Sequence, residues 1–394
     1  MPLTPLKHDP LLFAGKLFLA FLRLGLTAFG GPAMISYIRD LAVKKNGWLT
    51  EESFRQGVSV CQAIPGATAM QVAAYVGLRS GGFFGALAAY VGFGLPAFLL
   101  MVILAAFYQS AHDLAAVVSI FKGLQVVVIA MVANATLNFG RSTIKIWQDI
   151  LLGLGVSGFL VMGGNPILAI LSSALLGIFL YQKMEGRQQG TPGEFPAITF
   201  RSLKIPLLLT LALLAGMLIL FYVDRQLFAL AMVMAKVDFF AFGGGYGSLP
   251  LMFNEVVGVK HWLDSRTFMD GIALGQVTPG PIVITAAFVG SIMSGLPGAV
   301  VGTVSIFTPS LIMLTAVIPY FDRIQGNAVF QRAMHGVLVS FVGLLLSVTI
   351  RFILAVQWDV YQLLIAALAF LALRMKVDIL WVVCVGGGIA ALLL

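Results

Sequence analysis

The chain carries little charge and almost no cysteine, and each shortage excludes a class of protein. Asp, Glu, Lys and Arg make up only 10% of its 394 residues, whereas about 25% of residues are charged in soluble domains. Apolar residues account for 60% of the chain, and the mean hydropathy is +1.00. An ordinary soluble domain is therefore excluded. The two cysteines, Cys61 and Cys384, lie in apolar segments and support neither a disulfide framework nor a Cys/His metal site.

Motifs of catalysis and of nucleic-acid binding are also missing. The sequence has no Walker A, HExxH or GxSxG pattern and no flavin, haem or iron–sulfur ligand set. We therefore expect no enzyme activity, no cofactor and no metal; a membrane-embedded enzyme such as a reductase is the alternative from another class. The net charge of +8 comes without a Lys/Arg-rich arm, so we expect no nucleic-acid partner and attribute the charge to loops on one side of a lipid bilayer.

The sequence instead has a series of apolar runs that suit a hydrocarbon core of about 30 Å. They are predicted to be helices, because the short alternating strands of a membrane barrel are absent. The runs lie near 12–30, 57–78, 83–108, 115–138, 150–162, 166–182, 205–223, 226–243, 268–290, 296–318, 333–356, 359–373 and 377–394. The short runs within 150–182 and 359–394 are interpreted either as pairs of spans or as one hairpin-like unit each.

The two halves of the chain repeat one another at an offset of 213 or 214 positions. The first half reads "FGGPA", "WLTEESF" and "QAIPGAT", and the second reads "FGGGY", "WLDSRTF" and "QVTPGPI". The matched positions are Phe29 to Gly31 with Phe242 to Gly244, Trp48 with Trp262, Phe54 with Phe268, Gln62 with Gln276, Pro65-Gly66 with Pro279-Gly280, and Pro96 with Pro309. This ordered coincidence of Trp, Gln and Pro-Gly indicates a duplication, which is frequent in transporters.

Six apolar runs in each half and one unpaired run between them give about thirteen spans. An even repeat followed by a single crossing enters the membrane from the opposite side. The predicted fold is therefore an all-α polytopic membrane protein of two inverted repeats with discontinuous helices. Repeat 1 covers 1–182, a cytoplasmic linker with a connecting helix covers 183–222, and repeat 2 covers 223–394. Most Lys and Arg fall on the side of the N-terminus, which the positive-inside rule makes cytoplasmic, so the C-terminus is predicted to be periplasmic.

A cation precedes each copy of the repeated phrase inside an apolar run: Arg23 in the first half and Lys236 in the second. A charge at such depth costs about 2.5 to 3.5 kcal/mol on insertion scales, so it usually faces a cavity or another charge. One interpretation is that both cations contact an anion. The other is that they form structural pairs, with Asp238 as the nearest acid to Lys236.

The Pro-Gly in each half breaks a helix, and a membrane tolerates such a break only against protein or a cavity. The half-helix after the break starts with unpaired N–H groups and the positive end of a dipole, which favours an anion. Glycines of the FGG runs let main-chain N–H groups approach closely. A plain helix kink is the alternative. The predicted substrate-binding residues are Arg23, Lys236, Gly30, Gly31, Gly243, Gly244, Gln62, Pro65, Gly66, Thr68, Gln276, Thr278, Pro279 and Gly280.

Other polar residues are assigned lesser roles. Asn134, Asn138 and Arg141 share a helical face and are interpreted as joining helices. Lys122 and His335 are related by the repeat and are interpreted as interfacial. Several acidic residues lie near the loops that contain Trp48 and Trp262, and they are interpreted as solvated. One of them coupling transport to protons is the alternative. These residues are Glu51, Glu52, Glu255, Asp264 and Asp270.

The phrases "FGGPA…WLTEESF…QAIPGAT" and "FGGGYGSLPLM…WLDSRTFMDGIALGQVTPGPIVIT" resemble the two signature regions of the chromate ion transporter family, over nearly the whole chain. The resemblance implies a multi-pass protein of the bacterial or archaeal inner membrane, with oppositely oriented halves, that exports chromate and confers chromate resistance. It also implies sulfate as a substrate mimic and protons as the coupling ion of an antiport. The family commonly has "PGPNAT" in the first half, where this chain has "PGATA". The second half is thus the fuller match, and Lys236 with the turn from Thr278 to Pro281 is expected to bind more tightly.

These observations predict a secondary active transporter of chromate that works by alternating access. Transport of sulfate or another tetrahedral oxyanion is the alternative within the same class, and a passive channel is a further one. The oligomeric state is open between a monomer and a homodimer.

Overall fold

The computed structural model describes residues 10–29, 33–111, 114–182, 200–321 and 326–393, and every regular element within these ranges is helical. The first half contains α1 (Pro10–Thr27), α2 (Ala33–Arg39), α3 (Glu51–Ala63), α4 (Thr68–Ala111), α5 (Ala115–Thr143), α6 (Trp147–Val161) and α7 (Pro166–Leu180). A connecting helix, α8 (Phe200–Val223), precedes α9 (Arg225–Phe240), α10 (Gly245–Phe253), α11 (Ser265–Val277), α12 (Thr285–Val317), α13 (Ala328–Ala355), α14 (Val360–Arg374) and α15 (Ile379–Leu393). The all-α class is therefore confirmed.

The helices of the two halves correspond one to one at the offset found in the sequence. For example, α5 begins at Ala115 and its counterpart α13 begins at Ala328. A local irregularity repeats as well, because a π-helical turn spans Asp40–Lys45 after α2 and Asn254–Val259 after α10. The duplication therefore extends from single residues to the bounds of whole helices, and only α8 has no counterpart among the described helices.

Two of the long helices, α4 and α12, each reverse direction at a glycine. The reversal lies at Gly82 (φ 64°) in α4 and at Gly295 (φ 59°) in α12, a backbone region that favours glycine. In α4 the backbones of Gly77 and Gly85 touch across the turn and leave no room for a Cβ. The same two residues would be about 12 Å apart along a straight helix. Each long helix is therefore two antiparallel arms, and the second half repeats the glycine contact.

The first arm of α4 also runs antiparallel to α3, and we name residues 51–80 hairpin 1. The Tyr75 hydroxyl donates a hydrogen bond to the carbonyl oxygen of Ser53 (3.2 Å), and its ring covers Gly57. The tip of this hairpin is Pro65-Gly66. Hairpin 2 (265–293) is the counterpart in the second half, formed by α11 and the first arm of α12 with Pro279-Gly280 at its tip.

At the centre of the molecule, α5 and α13 cross in opposite directions. The hydroxyl oxygens of Thr136 and Thr349 lie 3.3 Å apart, and these two residues are themselves repeat equivalents. Further along, Gly140 packs beside Val342, so residues after the first threonine meet residues before the second. A contact between equivalent residues on antiparallel helices is what a local two-fold axis between the halves produces.

The short helix pairs are exchanged between the halves. The pair α6 and α7 packs along α13, and the pair α14 and α15 packs along α5. Small residues permit the close approach: Gly177 meets Gly336 on one side, and Gly123 meets Ala390 on the other. Each half therefore covers the central helix of the other half rather than its own.

Five described segments are long and apolar enough to cross a membrane: Thr68–Ala111, Val117–Thr143, Leu203–Val223, Ile282–Tyr320 and Ala328–Ala355. The helices α6, α7, α14 and α15 have 15 residues each. A helix of that length spans about 22 Å, less than the hydrocarbon core of about 30 Å. The polytopic membrane class is thus supported, whereas the predicted count of about thirteen spans is not confirmed.

The glycine contact inside α12 yields a stability prediction. A side chain at Gly290 meets the backbone of Gly298, which cannot move without opening the two arms. We expect Gly290→Val to lower the stability by about 1 to 3 kcal/mol or more, measured as thermal unfolding in detergent. The control is Gly216→Val in α8, where nothing lies within 4 Å of an added Cβ. Equal unfolding temperatures for the two variants contradict the reversal of α12.

Candidate functional site

A cavity of about 460 Å³ lies where the tips of the two hairpins meet. Its walls come from both halves: the hairpin tips, the start of α10, the end of α5 and one face of α13. The lining residues are Met34, Ile35, Gln62, Ala67, Thr68, Ala69, Phe139, Ser142, Thr143, Lys145, Gly243, Gly244, Gly245, Tyr246, Gly275, Gln276, Thr278, Gly280, Pro281, Ile282, His335 and Leu338. The two Pro-Gly regions, far apart in the sequence, therefore form one site.

Each hairpin tip is anchored to the opposite half by a backbone hydrogen bond. The N–H of Gly66 donates to the carbonyl oxygen of Ala241 at the end of α9 (2.7 Å). The N–H of Gly280 donates to the carbonyl oxygen of Ala28 at the end of α1 (2.9 Å). The two acceptors are repeat equivalents, as are the two donors. Both glycines have positive φ, 113° and 122°, so the turn at each tip requires glycine.

A buried carboxylate supports the first tip from behind. Asp238 accepts hydrogen bonds from the backbone N–H and the hydroxyl of Ser310 (both 2.7 Å), and its residue is 1% exposed. The Ser310 hydroxyl in turn fills the space that a Cβ at Gly66 would need. Asp238 therefore stabilises the packing of α12 against the tip of hairpin 1.

Hydrogen-bond donors converge on the cavity. The first residues of α4 and of α10 line it, so the unpaired N–H groups of these two helix starts lie at its wall. The side-chain Nε2 of Gln276 is buried in the wall close to the Tyr246 hydroxyl, and it forms no hydrogen bond of normal geometry. By contrast, the Thr278 hydroxyl is occupied, because it donates to the carbonyl oxygen of Gly275 (2.8 Å). An unpaired buried amide is costly, and an anion is the kind of ligand that would satisfy it.

Two side chains on the wall carry positive charge or can acquire it. They are Lys145, which follows α5, and His335 of α13; no Asp or Glu is among the described lining residues. His335 Nε2 lies 3.0 Å from Asp149 Oδ1, and this carboxylate is completely buried behind the wall. Helix starts, a lysine and a histidine together give the cavity a positive potential that suits an anion.

Comparison with known sequences gives the family. The sequence model of the family described as Chromate transporter matches residues 15–178 and 228–392, one segment in each half. The chain belongs to the chromate transporter family. The resemblance seen in the signature phrases is thereby confirmed.

Individual relatives of this chromate transporter family member support the same assignment to the family. The chain is 44% identical to an uncharacterized transporter of Methanocaldococcus jannaschii over 93% of its own length and 91% of the relative's. It is 28% identical to a chromate transport protein of Cupriavidus metallidurans over 83% of this chain and 80% of the relative. An uncharacterized transporter of Bacillus subtilis, 29% identical, matches 41% of this chain and 85% of its own length. No solved structure matches the chain.

Most of the binding residues predicted from the sequence of this family member surround the cavity. Gln62, Thr68, Gly243, Gly244, Gln276, Thr278 and Gly280 line it. Pro65, Gly66 and Pro279 belong to the tips that shape it, and Gly30 and Gly31 lie outside the described residues. Both hairpin tips therefore contribute lining residues. The second half contributes a further segment, the start of α10.

The two predicted cations lie elsewhere. Arg23 is exposed on α1, and Lys236 donates to Glu255 Oε1 at 2.7 Å, so neither lines the cavity. Sequence reasoning did not assign Lys145 or His335 to the site. The repeat pairs His335 with the basic residue Lys122, but from the sequence alone the pair is interpreted as interfacial, and Lys145 has the uncharged Trp358 as its equivalent.

The Lys236–Glu255 pair permits a direct test of structural against binding roles. We expect Lys236→Met alone to lower stability by about 1 to 3 kcal/mol, since it leaves the Glu255 side chain, which is 11% exposed, without its partner. Glu255→Met alone is expected to cost less, because the Lys236 side chain is 39% exposed. The double variant Lys236→Met/Glu255→Met is expected to recover most of this loss. Thermal unfolding and chromate binding of the purified variants are the measurements. A double variant that folds but binds no chromate contradicts the structural role and supports an anion contact by Lys236.

Proposed function

We propose that the chain is a secondary active transporter that exports chromate by alternating access and is coupled to protons. The observation that carries this proposal is the anion-suited cavity between the hairpin tips. Family membership supports the substrate, because the relative from Cupriavidus metallidurans is named a chromate transport protein. A carrier needs such a site between two halves that move relative to one another.

The charge and volume of the cavity fit a small tetrahedral dianion. The wall offers Lys145, His335 and the Gln276 amide, together with two helix starts. A volume of about 460 Å³ holds an oxyanion of this size with several waters, each of which occupies about 30 Å³ in the liquid. Sulfate has the same shape and charge as chromate, so sulfate or another tetrahedral oxyanion is the second candidate cargo. The named transporter relatives give the alternative of a membrane-embedded enzyme no support.

For the topology we propose five full crossings and several helix pairs that enter the membrane and return to the same side. The crossings are the second arms of α4 and α12, together with α5, α8 and α13. The antiparallel contact of Thr136 with Thr349 supports inverted repeats, with 1–182 and 223–394 as the two halves and 183–222 as the connection. An odd number of crossings puts the N-terminus and the C-terminus on opposite sides.

In this topology the base of hairpin 1 faces the N-terminal side of the membrane. Lys44 and Lys45 then join Arg79 on that side, while Lys260 and Arg266 move to the opposite side with the base of hairpin 2, so the excess of Lys and Arg stays on the N-terminal side. We therefore propose an inner-membrane protein with a cytoplasmic N-terminus and a periplasmic C-terminus. The mouth of the cavity, marked by Lys145 and His335, opens toward the cytoplasm.

An asymmetry between the halves supports alternating access. On the side away from the cavity mouth, α11 packs along α5, and Asp270 accepts hydrogen bonds from Gln125 (2.8 Å) and Tyr108 (3.0 Å). On the cavity side, the equivalent packing of α3 on α13 is minor. The equivalents of Asp270 and Gln125 are Gln56, which is exposed, and Leu338, which lines the cavity. Tyr108, Gln125 and Asp270 also line a second cavity of about 510 Å³, so this side is closed at the helix contact but is not filled. We interpret the contact of α11 with α5 as a closed gate and the other side as open, and propose that the two exchange during transport.

Gln276 tests the binding proposal. We expect Gln276→Met to keep or raise the unfolding temperature, because it removes a buried donor without a partner. The same change is expected to weaken chromate binding about tenfold or more, since a hydrogen bond to a charged group is lost. Binding to purified protein and uptake into proteoliposomes are the measurements.

The matched control for this test is Gln226→Met, because Gln226 is an exposed residue at the start of α9 and lies outside the cavity. Unchanged chromate affinity in Gln276→Met, with the fold intact, overturns the assignment of this cavity. Competition by sulfate in the same assay ranks the two candidate cargoes.

The closed side gives a second prediction. With Cys61 and Cys384 replaced by Ala, a Gln125→Cys/Asp270→Cys pair joined by a short thiol cross-linker is expected to hold α5 against α11. Chromate transport is then expected to fall at least about tenfold and to return on reduction. Each single-cysteine variant, treated in the same way, is the control. Full transport by the cross-linked protein contradicts the gating role of this contact.

A further inference from the structure

His335 is held at the cavity wall by a buried carboxylate of the other half. Its Nε2 lies 3.0 Å from Asp149 Oδ1. Asp149 is itself fixed, because its Oδ2 accepts hydrogen bonds from the backbone N–H groups of Lys145 (2.8 Å) and Ile146 (3.2 Å) at the start of α6. The ring of Tyr181, just after α7, packs edge-on against the imidazole with centroids 4.5 Å apart. The imidazole is thus positioned from two sides.

The chemistry of this pair differs from that of the other cation at the mouth. Histidine is the ordinary side chain whose charge changes between about pH 5 and pH 8. Lysine keeps its charge over the same range. Because no carboxylate is among the described lining residues, the charge of the wall varies with the protonation of His335.

We propose that anion binding in this cavity is linked to protonation of His335, which Asp149 positions. The inference rests on the proposed function and names the proton-linked group of that same site. When His335 is protonated, its charge offsets that of Asp149 behind the wall, and the Lys145 ammonium is left to attract the anion. Loss of the imidazole proton to solvent leaves the Asp149 carboxylate without a compensating charge close to the cavity, which repels the anion and weakens its binding. By reciprocity, a bound anion increases the proton occupancy of His335.

The other half lacks an equivalent group. The counterparts of His335 and Asp149 are Lys122 and Gln362, which line a separate cavity of about 510 Å³ at the opposite end of α5. Lys122 therefore has an amide in place of the carboxylate. The far cavity is lined instead by the carboxyl groups of Asp270 and Asp359, and burial raises the pKa of Asp270 to about 7, so the histidine–carboxylate pair belongs to one side of the protein only.

The other ionisable groups around His335 do not replace it. On its own helix, Arg332 lies one turn earlier and donates to the carbonyl oxygen of Gln182 (3.1 Å). Tyr246 of α10 lines the same cavity. Arg141 of α5 is exposed and does not line the cavity, and Arg266 and Asp270 of α11 line the cavity at the far end.

The test measures chromate binding to the purified full-length protein between about pH 5.5 and pH 8.5. Chromate itself takes up a proton in this range, but that change is the same for every variant and cancels in a ratio of affinities. We expect His335→Gln to bind about tenfold more weakly than the wild type at the acidic end and equally at the alkaline end. We expect His335→Lys to bind at least as tightly as the wild type at the alkaline end, because its charge is fixed.

Asp149→Asn separates positioning from a merely structural role. The asparagine keeps the shape of the side chain and removes its charge, so the ratio of the variant's chromate affinity to that of the wild type is expected to vary with pH. The matched control is His261→Gln, because this histidine is exposed next to Trp262 and lies outside the cavity. Its ratio to the wild type is expected to stay near one at every pH. Thermal unfolding of each variant verifies that it is folded.

Two outcomes overturn the inference alone: a His335→Gln ratio that is the same at every pH, or a His335→Lys variant that follows the wild-type pH dependence. A folded wild type that binds no chromate at any pH overturns the proposed function and, with it, this linkage. The two failures are therefore distinguishable in one series of measurements.

Discussion

The architecture depends on a pair of backbone hydrogen bonds that cross between the halves, from Gly66 to Ala241 and from Gly280 to Ala28. Inside a membrane, a broken helix has no water to satisfy its free N–H and C=O groups, so the protein must supply the partners. Here each broken end is satisfied by the other half. That mutual requirement brings the two tips together and leaves the remaining helix starts facing a shared space.

The chemistry of that space follows from the same breaks. A helix that starts inside the membrane exposes donors, and several such starts around one cavity form a positive lining before any side chain is counted. Lys145 and His335 lie on the wall, whereas the buried acids Asp149 and Asp238 lie behind it and support it. Basic side chains on the wall and acids behind it form an arrangement that favours a negatively charged ligand.

The sequence predicted the duplication, the helical class and most of the tip residues, because Trp, Gln and Pro-Gly recur in order. It did not predict that hairpins replace single spans. An apolar run such as 57–78 has the length of a span whether it crosses or turns back, and the reversal is set by contacts such as that of Tyr75 with Ser53. A position deep inside an apolar run also failed to identify the basic residues on the cavity wall. Lys236 is matched by Glu255, an acid from a separate segment, and Lys145 follows a helix end that pattern alone assigns to a loop.

The exchange of the short helix pairs determines the order of events when the chain is made. Because α14 and α15 cover α5, the first half leaves the ribosome with one face of its central helix unoccupied, and only completion of the second half supplies the cover. For the same reason, a half-length chain with this arrangement would need a second chain to cover its central helix, since neither half alone encloses its own middle.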